Sequence, residues 1–182
     1  MAIFIALLRG INVGGQKKIV MASLKELFGK LGFHNVTTYI QSGNVVFRSF
    51  EKDSSKIAKS VEKGIRDRYS YDVGVIVKSL DELSETIMTN PFSETDLGKG
   101  EKIYFTLLFQ KPAKETVSML KKFDNEVDDL AVKEKTVYLL CRKGYGRSMY
   151  SNNFIEKVLK VKATTRNLET MKKLVEIGNS LK

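Results

Sequence analysis

AIFIALLRGINVGG at residues 2 to 15, MASLKELFGKLG at residues 21 to 32 and VTTYIQSGNVVF at residues 36 to 47 decide the fold of this chain. AIFIALL is an apolar run of strand length, and the glycines behind it turn the chain into a loop. Met21, Leu24, Leu27, Phe28 and Leu31 then recur at helical spacing, with Gly32 placed to stop the helix. Residues 36 to 47 are rich in β-branched and aromatic side chains on both sides of Ser42-Gly43, which predicts a hairpin with a two-residue turn. Ile57, Val61 and Ile65 mark one stripe of a helix over residues 53 to 69, and VGVIV at 73 to 77 predicts another buried strand. The order β-α-β-β-α-β is the ferredoxin-like one.

The second half follows the same plan. Ser79 and Glu82 have the spacing of a capping box, so a short helix starts there and ends before Asn90-Pro91. The loop PFSETDLGKG marks a boundary, which divides the chain into halves at 1–90 and 91–182. IYFTLLF at 103 to 109 predicts a strand, Pro112 the first turn of a helix with Val117 and Leu120, and DLAVKEKTVYLL a hairpin turning at Glu134. Two helices follow, around Phe154, Ile155, Val158 and Leu159 and around Leu168, Met171, Leu174 and Val175. The expected fold class is therefore α+β, with two ferredoxin-like halves built on antiparallel sheets. The second half reads β-α-β-β-α-α and carries an extra terminal helix.

Composition sets the outer limits. Among 182 residues 42% are apolar, enough for a real core, which excludes disorder as the main state. Cys141 is the single cysteine and His34 the single histidine, so neither an intrachain disulfide nor a thiolate or imidazole metal site is available, and no metal is expected. MAIFIALL is too short to span a bilayer and lacks the flanks of a signal peptide, so the expectation is a soluble, cytoplasmic protein with no membrane partner. The net charge of +10 is uneven: residues 1 to 50 hold six basic side chains against Glu26 alone, and residues 142 to 182 hold ten against three. Such an excess concentrates phosphorylated ligands and polyanions, although a basic surface also serves solubility alone.

Two motifs, ALLRGINVGG from Ala6 to Gly15 and TYIQSGNVVF from Thr38 to Phe47, resemble a bacterial family catalogued as domain of unknown function sixteen-ninety-seven. NPF at Asn90, GRS at Gly146 and TTRNLET at Thr164 fit that family in the same order, while Leu168 departs from the Trp of its pattern. The resemblance implies two similar ferredoxin-like halves. It implies no activity, substrate or cofactor.

In a ferredoxin-like half the end of the first strand lies beside the start of the third, so Arg9 and the glycine loop should meet the turn at Gln41 to Asn44. That brings Arg9, Asn12, Gln41, Ser42 and Asn44 to one rim with the backbone N–H groups around Gly10, Gly14 and Gly15. Donors of this kind suit an anion, with Arg9 as a bidentate fork; the competing role of the same residues is to satisfy turn geometry. The loop is neither a Walker A motif, since Gln16 and Lys17 stand where Lys and Ser or Thr are needed, nor a GxGxxG fingerprint, since Asn12 replaces its second Gly.

A second cluster, RKGYGRSMYSNN at 142 to 153, offers Arg142, Lys143, Arg147 and Ser148 to phosphate and Tyr145 or Tyr150 as a stacking face. KGYG matches only the start of an RNP1 octamer and follows a strand instead of lying in one. At TTRN, Thr165 or Asn167 caps the last helix while Arg166 projects outward. Cys141 and His34 lack partners for a nucleophilic triad, and Asp128-Asp129 falls in a turn, which favours solvation. The best reading is a site for a phosphate-bearing or other anionic small molecule. The alternatives are a transferase or hydrolase acting on such a ligand, for which no general base is evident, a nucleic-acid-binding protein, or a purely structural interaction protein. No cofactor and no oligomeric state is legible.

Overall fold

The computed structural model describes residues 1–123 and 127–182. The chain divides into two compact units, Met1–Glu85 with Lys172–Lys182, and Thr86–Met171. The first contains β1 (Ala2–Leu8), α1 (Met21–Lys30), β2 (His34–Tyr39), β3 (Asn44–Ser49), α2 (Ser54–Tyr69) and β4 (Val75–Ser79), followed by α3 (Leu80–Met88). The second contains β5 (Lys102–Leu108), α4 (Lys114–Lys121), β6 (Asp129–Lys133), β7 (Thr136–Cys141), α5 (Asn152–Leu159) and β8 (Ala163–Asn167), and α6 (Leu168–Asn179) closes the chain. Each unit holds one four-stranded antiparallel sheet, in the orders β2-β3-β1-β4 and β6-β7-β5-β8. Both are ferredoxin-like.

β1 is a continuous apolar run because it is central and buried on both faces: Leu7 and Leu8, on opposite faces, are both fully buried. Its register against β3 runs from Ala2 opposite Ser49 to Leu7 opposite Asn44. α1 buries Leu24, Leu27 and Phe28 and α2 buries Ile57, Val61 and Ile65 against Phe4, Val45 and Phe47, and the rings of Phe33 and Phe47 meet at 4.7 Å. α2 begins where Asp53 accepts hydrogen bonds from the N–H groups of Ser55 and Lys56. At α3 the expected capping box forms in both directions: Ser79 N–H donates to Glu82 Oε2 at 2.7 Å and Glu82 N–H to Ser79 Oγ at 3.1 Å.

Several expectations need correction. The second unit has a strand, β8, between the last two helices of the chain, so TTRN is a strand and not only a helix cap. Its two threonines are β-branched and pair with Leu107 and Thr106 of β5. Arg166 is buried within that strand, its guanidinium donating to Thr164 Oγ1 and Thr165 O, both at 2.8 Å, and does not project outward. Asn167 is the residue that caps α6, accepting from Thr170 N–H at 2.8 Å. The β2–β3 connection spans Ile40 to Gly43, four residues instead of two. β4 lies two residues later than the apolar run suggested, and Pro112 precedes the N-cap Ala113 of α4 instead of opening the helix. Asp129 opens β6 instead of lying in a turn, stays half exposed and pairs with Arg142, while Asp128 is buried and accepts from Arg142 N–H at 2.9 Å, so solvation holds for Asp129 alone.

Candidate functional site

The second unit shows how little chain this fold needs at the rim where β1 or β5 ends. There Leu108 N–H donates to Lys135 O at 2.8 Å and Phe109 N–H to Lys162 O at 3.0 Å. Glu134-Lys135 alone joins β6 to β7, and the chain reaches α4 after Phe109–Ala113. In the first unit the same two bonds recur, from Leu8 N–H to Gly43 O at 2.8 Å and from Arg9 N–H to Gly74 O at 2.9 Å. Here, however, Arg9 to Val20 intervene before α1 and Ile40 to Gly43 between β2 and β3. The first rim therefore carries two insertions, side by side, that the fold itself does not require.

The longer insertion is a miniature hairpin. Val13 and Gln16 form an antiparallel bridge, Gln16 N–H donates to Val13 O at 3.0 Å, and Asn12 N–H reaches Lys17 O at 3.3 Å. Gly14 and Gly15 at the tip have φ of 57° and 76°, the positive pair that a two-residue type I′ turn demands and that glycine adopts without strain. Both are exposed, and among the described residues their N–H groups donate to no protein acceptor. Buried Ile11 and Ile19 anchor the two ends of the finger. Between them Asn12 acts as a clasp: its Nδ2 donates to Ile19 O at 2.9 Å and to Gln41 O at 2.8 Å, and its Oδ1 accepts from Ile19 N–H at 2.9 Å. One carboxamide thus ties the finger's two legs to the β2–β3 loop.

The residues expected at this site fall into two groups. Arg9, Gly10, Asn12, Gly14, Gly15, Gln41, Ser42 and Asn44 do lie along one rim. Asn44 is fully buried and its Nδ2 donates to Tyr39 O and Ser42 Oγ, both at 3.0 Å, so its amide closes the β2–β3 loop. Asn12 is spent on the clasp, and half-buried Arg9 and Ser42 are each engaged within the protein. The groups turned to solvent are Gln41, Gln16, Lys18 and the glycine tip. Lys17 Nζ donates to Asp72 O at 2.6 Å, whereas Lys18 makes no ion pair among the described residues. Glu26, the one acid among the first fifty residues, accepts from Arg68 at 2.7 Å and sits 3.1 Å from Lys30, which holds its carboxyl below the usual range and commits it away from the rim.

The remaining candidates belong to the second unit. Arg147 is exposed on the short 3-10 turn Tyr145–Arg147, and Ser148 Oγ accepts from Tyr150 N–H at 3.1 Å. Arg142 is drawn away by Asp129 at 2.6 Å and Glu101 at 3.2 Å. Neither tyrosine offers a free ring: Tyr150 is buried, and Tyr145 stacks on Tyr104 at 4.7 Å. The Tyr145 hydroxyl joins Thr165, whose own hydroxyl meets Thr106 and Asn152, so this polar cluster is closed on itself. Burial pushes the Cys141 thiol up to about 11 and the Arg166 guanidinium down to about 10, environments that suppress a thiolate nucleophile and raise the cost of charge. Among the described residues no three His, Cys, Asp or Glu side chains gather as a metal site, and no helix is long and apolar enough to cross a membrane.

The chain belongs to the family described as a protein of unknown function (DUF1697), whose model matches residues 1–138. Among solved structures it is similar to a conserved bacterial protein from Streptococcus pneumoniae, with a TM-score of 0.75 and 20% identity over 97% of this chain and 98% of that one. At that identity the likeness shows the fold alone. No curated protein gives a sequence match.

Proposed function

We propose that the protein binds an anionic, phosphate-bearing ligand on the rim of its first unit, at the glycine finger. The reading rests on one observation. Compared with the second unit, this rim carries two inserted segments that are fastened together, and their outward groups are hydrogen-bond donors; Asp72, beside Lys17, gives it a backbone carbonyl and pairs its own carboxylate with Arg66 at 3.0 Å. The N–H groups of Gly14 and Gly15 are consecutive and exposed, and open space surrounds the position of a Cβ at either residue. An anion can approach such a backbone concavity closely. Lys17, Lys18 and the Gln41 amide flank it, and Arg9 contributes long-range field from the foot of the loop. Asn12 and Asn44 hold the geometry and are not contacts.

Titration of the isotope-labelled protein with pyrophosphate, followed through amide resonances, tests this. The Gly14, Gly15 and Gln41 signals should move together and saturably, and Lys17→Ala with Lys18→Ala should weaken the response several-fold while leaving the fold intact. Shifts that are absent at the finger, or that spread over the whole surface without saturating, would remove the proposal.

A further inference from the structure

The same rim exposes apolar side chains that an anion alone does not explain. Val13 is 64% exposed, Val20 71% and Ile40 48%. Each is next in sequence to a member of the Asn12 clasp: Val13 follows Asn12, Val20 follows its partner Ile19, and Ile40 precedes its partner Gln41. Ile40 is unfavourable twice over. It leaves half its surface in water, and its φ of 49° places a β-branched side chain in the left-handed region, where its Cβ crowds the backbone. Asn or Gly would fill that position without strain. Strain of this kind persists only where the surrounding structure imposes it, and it clusters at binding sites.

We infer that the ligand is a strand of single-stranded nucleic acid laid across the finger, an inference that rests on the anion-binding reading above. Val13, Val20 and Ile40 offer aliphatic surface to unstacked bases, while Lys17, Lys18 and the Gly14–Gly15 N–H groups take successive phosphates. Single strands present splayed bases and phosphates together, so they match a surface that alternates apolar side chains with cationic donors. A free phosphate or a mononucleotide would use the donors and leave the three aliphatic side chains in water. An acidic peptide would meet the lysines and the bare N–H groups with its carboxylates, but it has no flat bases to spread over the three aliphatic side chains. Sequence preference is not expected, because the contacts at the rim are to phosphates and to apolar base surface; contact with the thymine methyl is the one bias that aliphatic side chains provide.

The test compares a fluorescent oligothymidylate with inorganic polyphosphate of matched charge, each titrated by anisotropy or competition across a salt series. Oligothymidylate should bind more tightly than polyphosphate, and with two lysines engaged its affinity should fall with salt at a log–log slope of about −1.4, about 0.7 per phosphate neutralised. Ile40→Asn supplies the decisive variant, since it relieves the left-handed strain and should hold or raise the thermal midpoint. Combined with Val13→Ser, it should weaken the oligonucleotide ~10-fold, a loss on the scale of one base contact, and leave polyphosphate affinity unchanged.

If polyphosphate and oligonucleotide bind alike and Ile40→Asn with Val13→Ser alters neither, the nucleic-acid inference fails and the anion site stands. If neither polyanion moves the Gly14 and Gly15 resonances, both fail. A concentration-dependent dimer that dissolves in the same double variant would assign the patch to a second copy of the chain, and binding of acidic peptides in preference to the oligonucleotide would assign it to a protein. Either result overturns the inference.

Discussion

Replacing Asn12 tests the clasp that holds the rim together. Its carboxamide makes three hydrogen bonds, two of them to the backbone of buried Ile19 and one to the solvent-facing Gln41 O. Water cannot readily replace the Ile19 bonds, so each is worth ~1 kcal/mol, and the Gln41 bond, which water can replace, ~0.5 kcal/mol. Asn12→Gly should therefore lose ~2.5 kcal/mol, because glycine adopts the native φ of 54° freely and only the hydrogen bonds disappear. Asn12→Ala should lose ~1 kcal/mol more, the further penalty of placing an alanine Cβ in the left-handed region. The chain has no tryptophan, so denaturant unfolding is followed by far-ultraviolet circular dichroism, with midpoint and slope compared between variants. An Asn12→Gly protein as stable as the wild type would show that the clasp contributes nothing and would refute the reasoning. Equal losses in the two variants would refute the part assigned to backbone conformation.

A Cβ at Gly43 would stand 2.8 Å from both Ile11 Cδ1 and Leu8 Cβ, at a φ of 77°, so Gly43→Ala should cost ~2–4 kcal/mol by overpacking and strain together; an unchanged unfolding midpoint would contradict it. Cys141 should resist thiol reagents in the native state and react only as fast as the protein opens, because the thiol is buried and lifted to about 11. The sign of its pH linkage follows. The unfolded thiol loses its proton first, near pH ~8.5, so the stability tied to Cys141 is intact below that value and is lost as pH rises towards the folded value. Cys141→Ala should flatten the alkaline arm of the stability curve, and an arm identical to that of the wild type would remove this role.

The glycine finger shows where inference from residue types stops. The presence of Arg9, Asn12, Asn44 and the glycines at one rim could be read from strand order alone, because the fold forces the end of β1 beside the start of β3. Which of them turn to solvent could not. Asn12 and Gln41 are far apart in sequence, and only their pairing turned a candidate ligand residue into a structural clasp. β8 escaped notice for a related reason. TTRN is short, polar and contains an arginine, so neither apolar alternation nor a hydrophobic run announces it; its β-branched threonines were the one available signal.

The sequence by itself determined the element order of the first unit and the ferredoxin-like class. The apolar run of β1, the helical spacing from Met21 to Leu31 and the stripe on α2 are local periodicities, and local periodicity reports which face of an element must be buried. It also placed the capping box at Ser79 and the hairpin turn at Glu134, since both depend on residues a few positions apart. Tertiary structure alone decided that Arg166 is buried, that Asn12 and Asn44 are spent on the loop, and that Val13, Val20 and Ile40 remain outside. Each of those outcomes depends on which distant backbone groups arrive beside the residue, and a hydrogen bond or a burial made across such separations leaves no periodic trace in the chain.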